Sequence, residues 1–378
     1  MAHLKVSRSD GISCYFIGVA KSCPNFIYIF YLFFIPNFSF PASATEFYLS
    51  QNTFSDSQAV PLIYAKEKWD SEYAQGSYSH SYIWSETGLH TKHWGIGFLY
   101  RFDIQAKYNS DTVDFLFRVK NKRELIPEKE YRLNIDVNQL RAFGSRISYR
   151  NIHSNLHYNI GVSILRAHTV TQGTLQGNAK ILTQKDYEFE FDTDYFYSTD
   201  YLFDRQIQQP TGYGLSTDAS FSLITGRYTK LSMQITDIVG FIYWSKTPRT
   251  VAAGDSSVRN YDENGYLRYE PYITGTESYE RLIQLFTPRI SLSASYYREW
   301  FTAKGEIFYT SITSYLIPSV GTVLPGGTQL LISRVLPTTA TKLSVTGKTF
   351  AIEIFSDHWD YQKINSAGLS ISYNIQLK

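Results

Sequence analysis

Cysteine is almost absent: the 378 residues contain two, Cys14 and Cys23, both close to the N-terminus. A disulfide-stapled fold, a redox motif and a thiolate metal site are therefore excluded for the rest of the chain. Charge of one sign is also lacking. Lys and Arg total 36 against 34 Asp and Glu, a formal charge of +2, so no general attraction to a polyanion exists and nucleic acid is not an expected partner. No apolar run reaches the roughly 20 residues that a membrane-spanning helix needs. With 43% hydrophobic residues and a mean hydropathy of −0.25, the chain is neither disordered nor a bundle of apolar helices. What it has in quantity is aromatic rings, 16% of all residues, mainly 31 Tyr and 25 Phe.

The longest apolar stretch, Phe26 to Ile35, follows Lys21 and precedes Pro41-Ala42-Ser43-Ala44. That is the layout of a signal peptide, with Ala42 and Ala44 supplying the small-x-small cleavage pattern. Residues 1–44 are thus expected to be a leader cleaved after Ala44. Three of the basic residues (Lys5, Arg8, Lys21) and one acid (Asp10) leave with it, so the remaining chain carries 33 of each sign and no cysteine. A cysteine-free chain suits export through an oxidising compartment.

From Thr45 onward no helical stripe stands out, whereas period-2 alternation recurs in long runs. Trp94, Ile96, Phe98, Tyr100, Phe102, Ile104, Ala106 and Tyr108 occupy successive even positions, with increasingly polar residues between them. Similar runs start at Val113 (through Phe115, Phe117 and Val119), Tyr131, Leu156, Tyr187, Tyr213, Leu231, Ile290, Phe301, Leu343 and Ala367, and Val239, Phe241 and Tyr243 resume the pattern beyond Asp237. With weaker runs they amount to about 12–14 strands.

Many of these runs reach or pass the roughly 9–11 residues that cross a bilayer at a tilt. Their apolar faces need lipid, and their charged faces need a polar lumen inside a closed sheet. The expected fold is all-β, a single antiparallel transmembrane β-barrel over residues 77–378, with 45–76 as a periplasmic lead-in or partial plug. Ser198–Thr211, Lys246–Arg281 and Ser314–Gly327 read as long irregular loops and are assigned to the outer side.

The leader ending Ala-Ser-Ala, the aromatic-rich amphipathic runs and the alternating Ile371, Tyr373, Ile375, Leu377 resemble Gram-negative outer-membrane β-barrel proteins. The stretch from Gly212 to Trp244, with Asp237-Ile238-Val239-Gly240 inside it, is similar to uncharacterised proteobacterial barrels. The resemblance implies location in the bacterial outer membrane, contact with its lipid and handling by the barrel-insertion machinery. The chain departs from the family in closing on Leu377-Lys378 rather than on an aromatic residue.

Lumen-lining candidates are the acids of one run, Asp186, Glu188, Glu190, Asp192 and Asp194, together with Arg101, Arg132, Asp136, Arg146 and Arg150. No catalytic set converges. Asp192 and Asp194 share a face, but Asp357 and His358, being adjacent, would point oppositely in an extended segment. No nucleophile elbow and no metal-spaced histidines occur. Asp262 and Asn264, after Asn260, imitate the start of a calcium loop whose twelfth position is Pro271 instead of Glu, so they are a weak metal candidate. No cofactor and no enzymatic activity are expected. The leading expectation is a channel or transporter for small polar or amphipathic solutes; the alternative is a closed structural, adhesive or assembly-anchoring barrel whose outer loops bind a partner.

Overall fold

The computed structural model describes residues 45–62, 75–200, 202–203, 205–257, 260–261, 267–268 and 272–377. The expected leader and the Asp262/Asn264 candidate lie outside these residues. The described elements are β1 (Thr45–Ser57), β2 (Tyr78–His90), β3 (Trp94–Tyr108), α1 (Ser110–Lys120), β4 (Glu130–His153), β5 (Leu156–Thr183), β6 (Asp186–Tyr197), β7 (Gly212–Thr225), β8 (Thr229–Asp255), the short β9 (Asn260–Tyr261) and β10 (Leu267–Arg268), β11 (Tyr272–Leu285), β12 (Arg289–Arg298), β13 (Phe301–Tyr309), β14 (Ser314–Val323), β15 (Gln329–Val335), β16 (Ala340–Thr346), β17 (Phe350–Ser356) and β18 (Ser366–Leu377).

Strands β1–β5, β7, β8 and β12–β18 form a closed antiparallel ring of 14. The seam is made by β1 and β18, paired from Thr45↔Leu377 to Asp56↔Ser366. Closure leaves no unpaired edge in the ring, which is what a bilayer demands of a sheet. Connections at one end are short (91–93, 154–155, 226–228, 299–300, 324–328, 347–349), and both described chain ends lie there. In barrels of this type that end faces the periplasm.

The wall is uneven in height. β15, β16 and β17 have 7 residues each, whereas β4, β8 and β5 have 24, 27 and 28. The lower part of β5 pairs with β7 and its upper part with β6. Likewise β8 pairs below with β7 and β12, above with β6 and β11. The sheet therefore continues above the ring on this side.

On that extension the outward face changes neighbours. In the lower part of β3 and β4, Trp94, Ile96, Phe98, Phe143 and Ile147 are exposed, as a lipid-facing belt must be. Higher on the same face, Phe102, Ile104, Ala106, Tyr108, Tyr131, Leu133, Ile135 and Val137 are buried, most of them in a core with Val113, Phe115 and Leu116 of α1 and with Tyr195 and Tyr197 of β6. A protein collar thus covers the outside of the barrel above the belt. Asn109 caps α1 by accepting from Thr112 N–H at 2.9 Å, Asp111 sits in its first turn, and Arg118 and Lys120 in its last.

Three expectations are corrected here. The run Val113–Val119 is helical, because a capped, charge-complemented helix can bury the consecutive residues Thr112–Leu116 against β4, which a strand would turn to two faces. Residues 45–57, expected to precede the barrel, are its first strand. Their alternation is masked because Tyr48 and Phe54 point into the lumen while Gln51 and Thr53 take outward positions. The segments 246–281 and 314–327 are largely strand, their Thr, Gly and Pro content hiding the period. Pro318 coincides with a gap in the β14–β15 ladder, between Ser319↔Ser333 and the Leu316↔Leu336 bridge, as its missing N–H requires. The turn 324–328 lies at the short-turn end, opposite to its expected side.

Candidate functional site: a charged clasp across the lumen

β3 alternates Leu99, Arg101, Asp103 and Gln105 toward the lumen. Facing it, β8 carries a bulge in which Asp237, Ile238 and Val239 stand against Thr217 alone, the register shifting between Ser216 and Asp218. Asp237 adopts φ 62°, a left-handed conformation that Asp tolerates better than most residues. The bulge turns its carboxylate into the lumen, at a position where regular alternation would have presented it to lipid.

There Arg101 grips Asp237 bidentately, Nη1 to Oδ1 at 2.5 Å and Nη2 to Oδ2 at 2.8 Å, and its Nε also donates to Asp103. Arg289, the first residue of β12, donates to Asp103 at 2.9 Å and to Asp237 at 3.4 Å. Ser216 donates to Asp237 at 2.7 Å. Two arginines and two aspartates thus form a neutral ring that joins β3 to β8 and β12 across the lumen. Arg101 is 3% exposed, and Asp237 1%. Aromatic rings back the cations: Phe286 lies 4.0 Å from the Arg101 guanidinium and Tyr82 lies 4.4 Å from that of Arg289.

The clasp is flanked by two apolar groups. On the tall side Leu99, Leu140, Leu165, Val170, Ile242 and Trp244 pack together. On the other side Phe54, Tyr82, Tyr315, Ile317 and Val335 do so. Beside the second group His80 is 1% exposed, and neither ring nitrogen has a hydrogen-bond partner. Toward the outer end Asp56 accepts from Tyr78 at 2.9 Å and from Tyr315 at 2.7 Å.

A second charged layer lies nearer the short-turn end. Arg146 binds Asp218 at 2.6 and 2.9 Å and reaches Glu86 at 3.4 Å, and Glu86 accepts from Tyr48 at 2.5 Å. Between β4 and β7 the guanidinium must cross β5. It does so over Gly161, where a Cβ would come within 2.5 Å of it.

The lumen candidates divide by height. Arg101 and Arg146 lie inside the ring, in these two layers. Arg150 sits near the short-turn end, 2.6 Å from Glu46. Arg132 and Asp136 are exposed on the β4 extension, and Asp186, Glu188, Glu190, Asp192 and Asp194 line the β6 extension above the ring. Asp194 is bound by Arg249 at 2.7 and 2.8 Å, and those hydrogen bonds hold its carboxyl below the usual range. Arg249 also reaches Glu280 at 2.8 Å. Asp192 and Asp194 border an open hollow of about 570 Å³ with Thr174, Gln176, Thr274 and Thr276. Asp357 accepts from the backbone N–H of Asn365 and Ser366, while His358 accepts from that of Asp360, so the two organise a turn and do not converge.

Asp103, Asp237, Arg289, Glu86 and Asp218 were not among the candidates. For Asp237 a signal exists: it falls on the outward parity between Ile235 and Val239, an intolerable place for a carboxylate unless a bulge turns it. Arg289, in contrast, looks like any strand-initial arginine until its partners are seen.

No family model matches the chain, and no curated protein matches it. Among solved structures, a mutant of the monoaromatic hydrocarbon channel TodX aligns over 89% of this chain and 91% of its own at 9% identity and TM-score 0.43. The Pseudomonas putida toluene transporter TodX gives 88%, 90%, 8% and 0.40. A Pseudomonas aeruginosa FadL homologue gives 88%, 90%, 10% and 0.33. The chain's own closed 14-strand ring, exposed apolar belt and short-turn end are those of a transmembrane β-barrel.

Proposed function

We propose that the barrel is a gated channel for small amphipathic solutes, with the Arg101–Asp103–Asp237–Arg289 ring as its barrier. The observation that carries this reading is the nature of the closure. Among the described residues the lumen is bridged at the clasp by side chains from the wall itself, and side chains can change rotamer without unfolding a strand. Apolar groups on both sides of a charged ring suit a solute with one apolar and one polar part. Such a solute would meet the hollow beside Asp192 and Asp194 first, then the clasp.

The test is Asp237→Ala, which leaves Arg101 and Arg289 with Asp103 as their one remaining shared acceptor. In planar bilayers the variant should conduct in events that the wild type shows rarely, and in liposomes uptake of a small aromatic acid should rise several-fold. Unchanged conductance and uptake in a folded variant would reject the channel. They would favour the second reading, an anchoring barrel whose outer parts bind a partner, which the dense packing around Trp244 supports.

A further inference from the structure

A ladder of outward residues crosses the tall wall: Tyr100↔Phe143↔Arg166↔Tyr213↔Tyr243. Four of the five are aromatic. The fifth is an exposed arginine, and among the described residues it enters no ion pair. One row higher, Arg141 lies with its guanidinium 5.6 Å from the Phe102 ring. Between the two, at the β4–β5 irregularity beside Arg141 and Ala142, His168 is skipped by the ladder and stacks on Phe143 at 5.4 Å with an interplanar angle of 13°. Both arginines act electrostatically on His168. Directly above, the collar begins; directly below, Ile164 and Val162 are exposed in the belt.

Arg166 stands ten residues beyond Leu156, the first residue of β5, a rise of about 26 Å at a tilt of about 40°, which puts it at the outer edge of an apolar band of about 25 Å. Cations placed there, beside rings and above an apolar wall, match an amphiphile with an anionic head. We propose that Arg166 and Arg141, with His168 between them, bind the phosphate of a phosphorylated glycolipid of the outer leaflet, such as lipid A, whose acyl chains lie along Phe143, Ile164 and Val162. The planar fork of Arg166 suits two phosphate oxygens at once. Phe143 and Tyr213, its ladder neighbours, confine the sugar on either side. This site lies on the outside of the wall and is independent of the lumenal clasp.

The experiment is native mass spectrometry of the purified full chain after exchange into phosphatidylcholine nanodiscs containing lipid A. Wild-type protein should retain lipid A. The double variant Arg141→Ala/Arg166→Ala should retain it about ten-fold more weakly, the scale of a lost charge-assisted hydrogen bond. Arg166→Lys, which keeps the charge and cannot disturb folding at an exposed position, should fall between them. Dephosphorylated lipid A should be released by wild type and double variant alike. Equal retention of lipid A by all three proteins, or undiminished retention of the dephosphorylated form, overturns the proposal. So does competition by inorganic phosphate at concentrations equal to the lipid, which would make the site one for free anions.

Discussion

On the outward face of β3, Phe98 is 70% exposed while Phe102, four residues higher, is 1% exposed. The residues are of one kind along the whole face, yet two different surroundings receive them. Below, acyl chains take the place of a protein core, so an exposed ring is already in its preferred medium. Above, no lipid reaches, and the chain must supply its own cover from α1, the 121–129 connection and β6. The same pattern of sequence is thus stabilised by a bilayer in one half and by tertiary packing in the other. The two halves should therefore answer differently to the same insult.

The largest effect is expected from Leu133→Asp, which buries a carboxylate without a partner under α1. About 3–5 kcal/mol of stability should be lost, equally in detergent micelles and in vesicles, as read by urea unfolding. A loss seen only in vesicles would break the distinction. Next comes Phe98→Arg in the belt, with an expected cost of about 2–4 kcal/mol near mid-bilayer. Here the cost should shrink in micelles, and an unchanged cost would show that the lower half is not held by lipid.

The smallest effect concerns pH. The Asp194 carboxyl is held low by the Arg249 hydrogen bonds, so its contribution is fully present above the unfolded-state value of about 4 and is lost as pH falls through the lower folded-state value. Because the pair is exposed, Arg249→Gln should cost about 0.5 kcal/mol or less at pH 7, and nothing once Asp194 is protonated in both states. A difference that persists in acid would assign the effect to packing of the Arg249 stem.

Much of the barrel was legible because its signal is local. Alternation from Trp94 to Tyr108 marks β3 without knowledge of any partner, and so do the runs that became β6, β7, β12, β13 and β18. The helix α1 was hidden because Val113, Phe115, Phe117 and Val119 also satisfy a period of two. Only the Asn109 cap and the buried Leu116 distinguish them. β1 was hidden by inward aromatic residues, of which Phe54 packs on Phe308, Tyr315 and Phe355, more than 200 residues away. The clasp depends on the same kind of distance. Arg101 and Asp237 meet only once the sheet has closed, and no local pattern encodes that meeting.

The uneven height of the wall bears on the membrane itself. Seven residues at about 3.4 Å each, tilted by about 40°, rise only about 18 Å, against an apolar band of about 25 Å in barrels of this kind. Beside β15, β16 and β17 the bilayer must therefore thin by several ångströms, while on the opposite flank the collar rests over lipid of ordinary depth. Each ångström of such mismatch costs a fraction of a kcal/mol. The protein acts on its surroundings as a wedge, and the leaflet it bends offers a softened flank to whatever else inserts there.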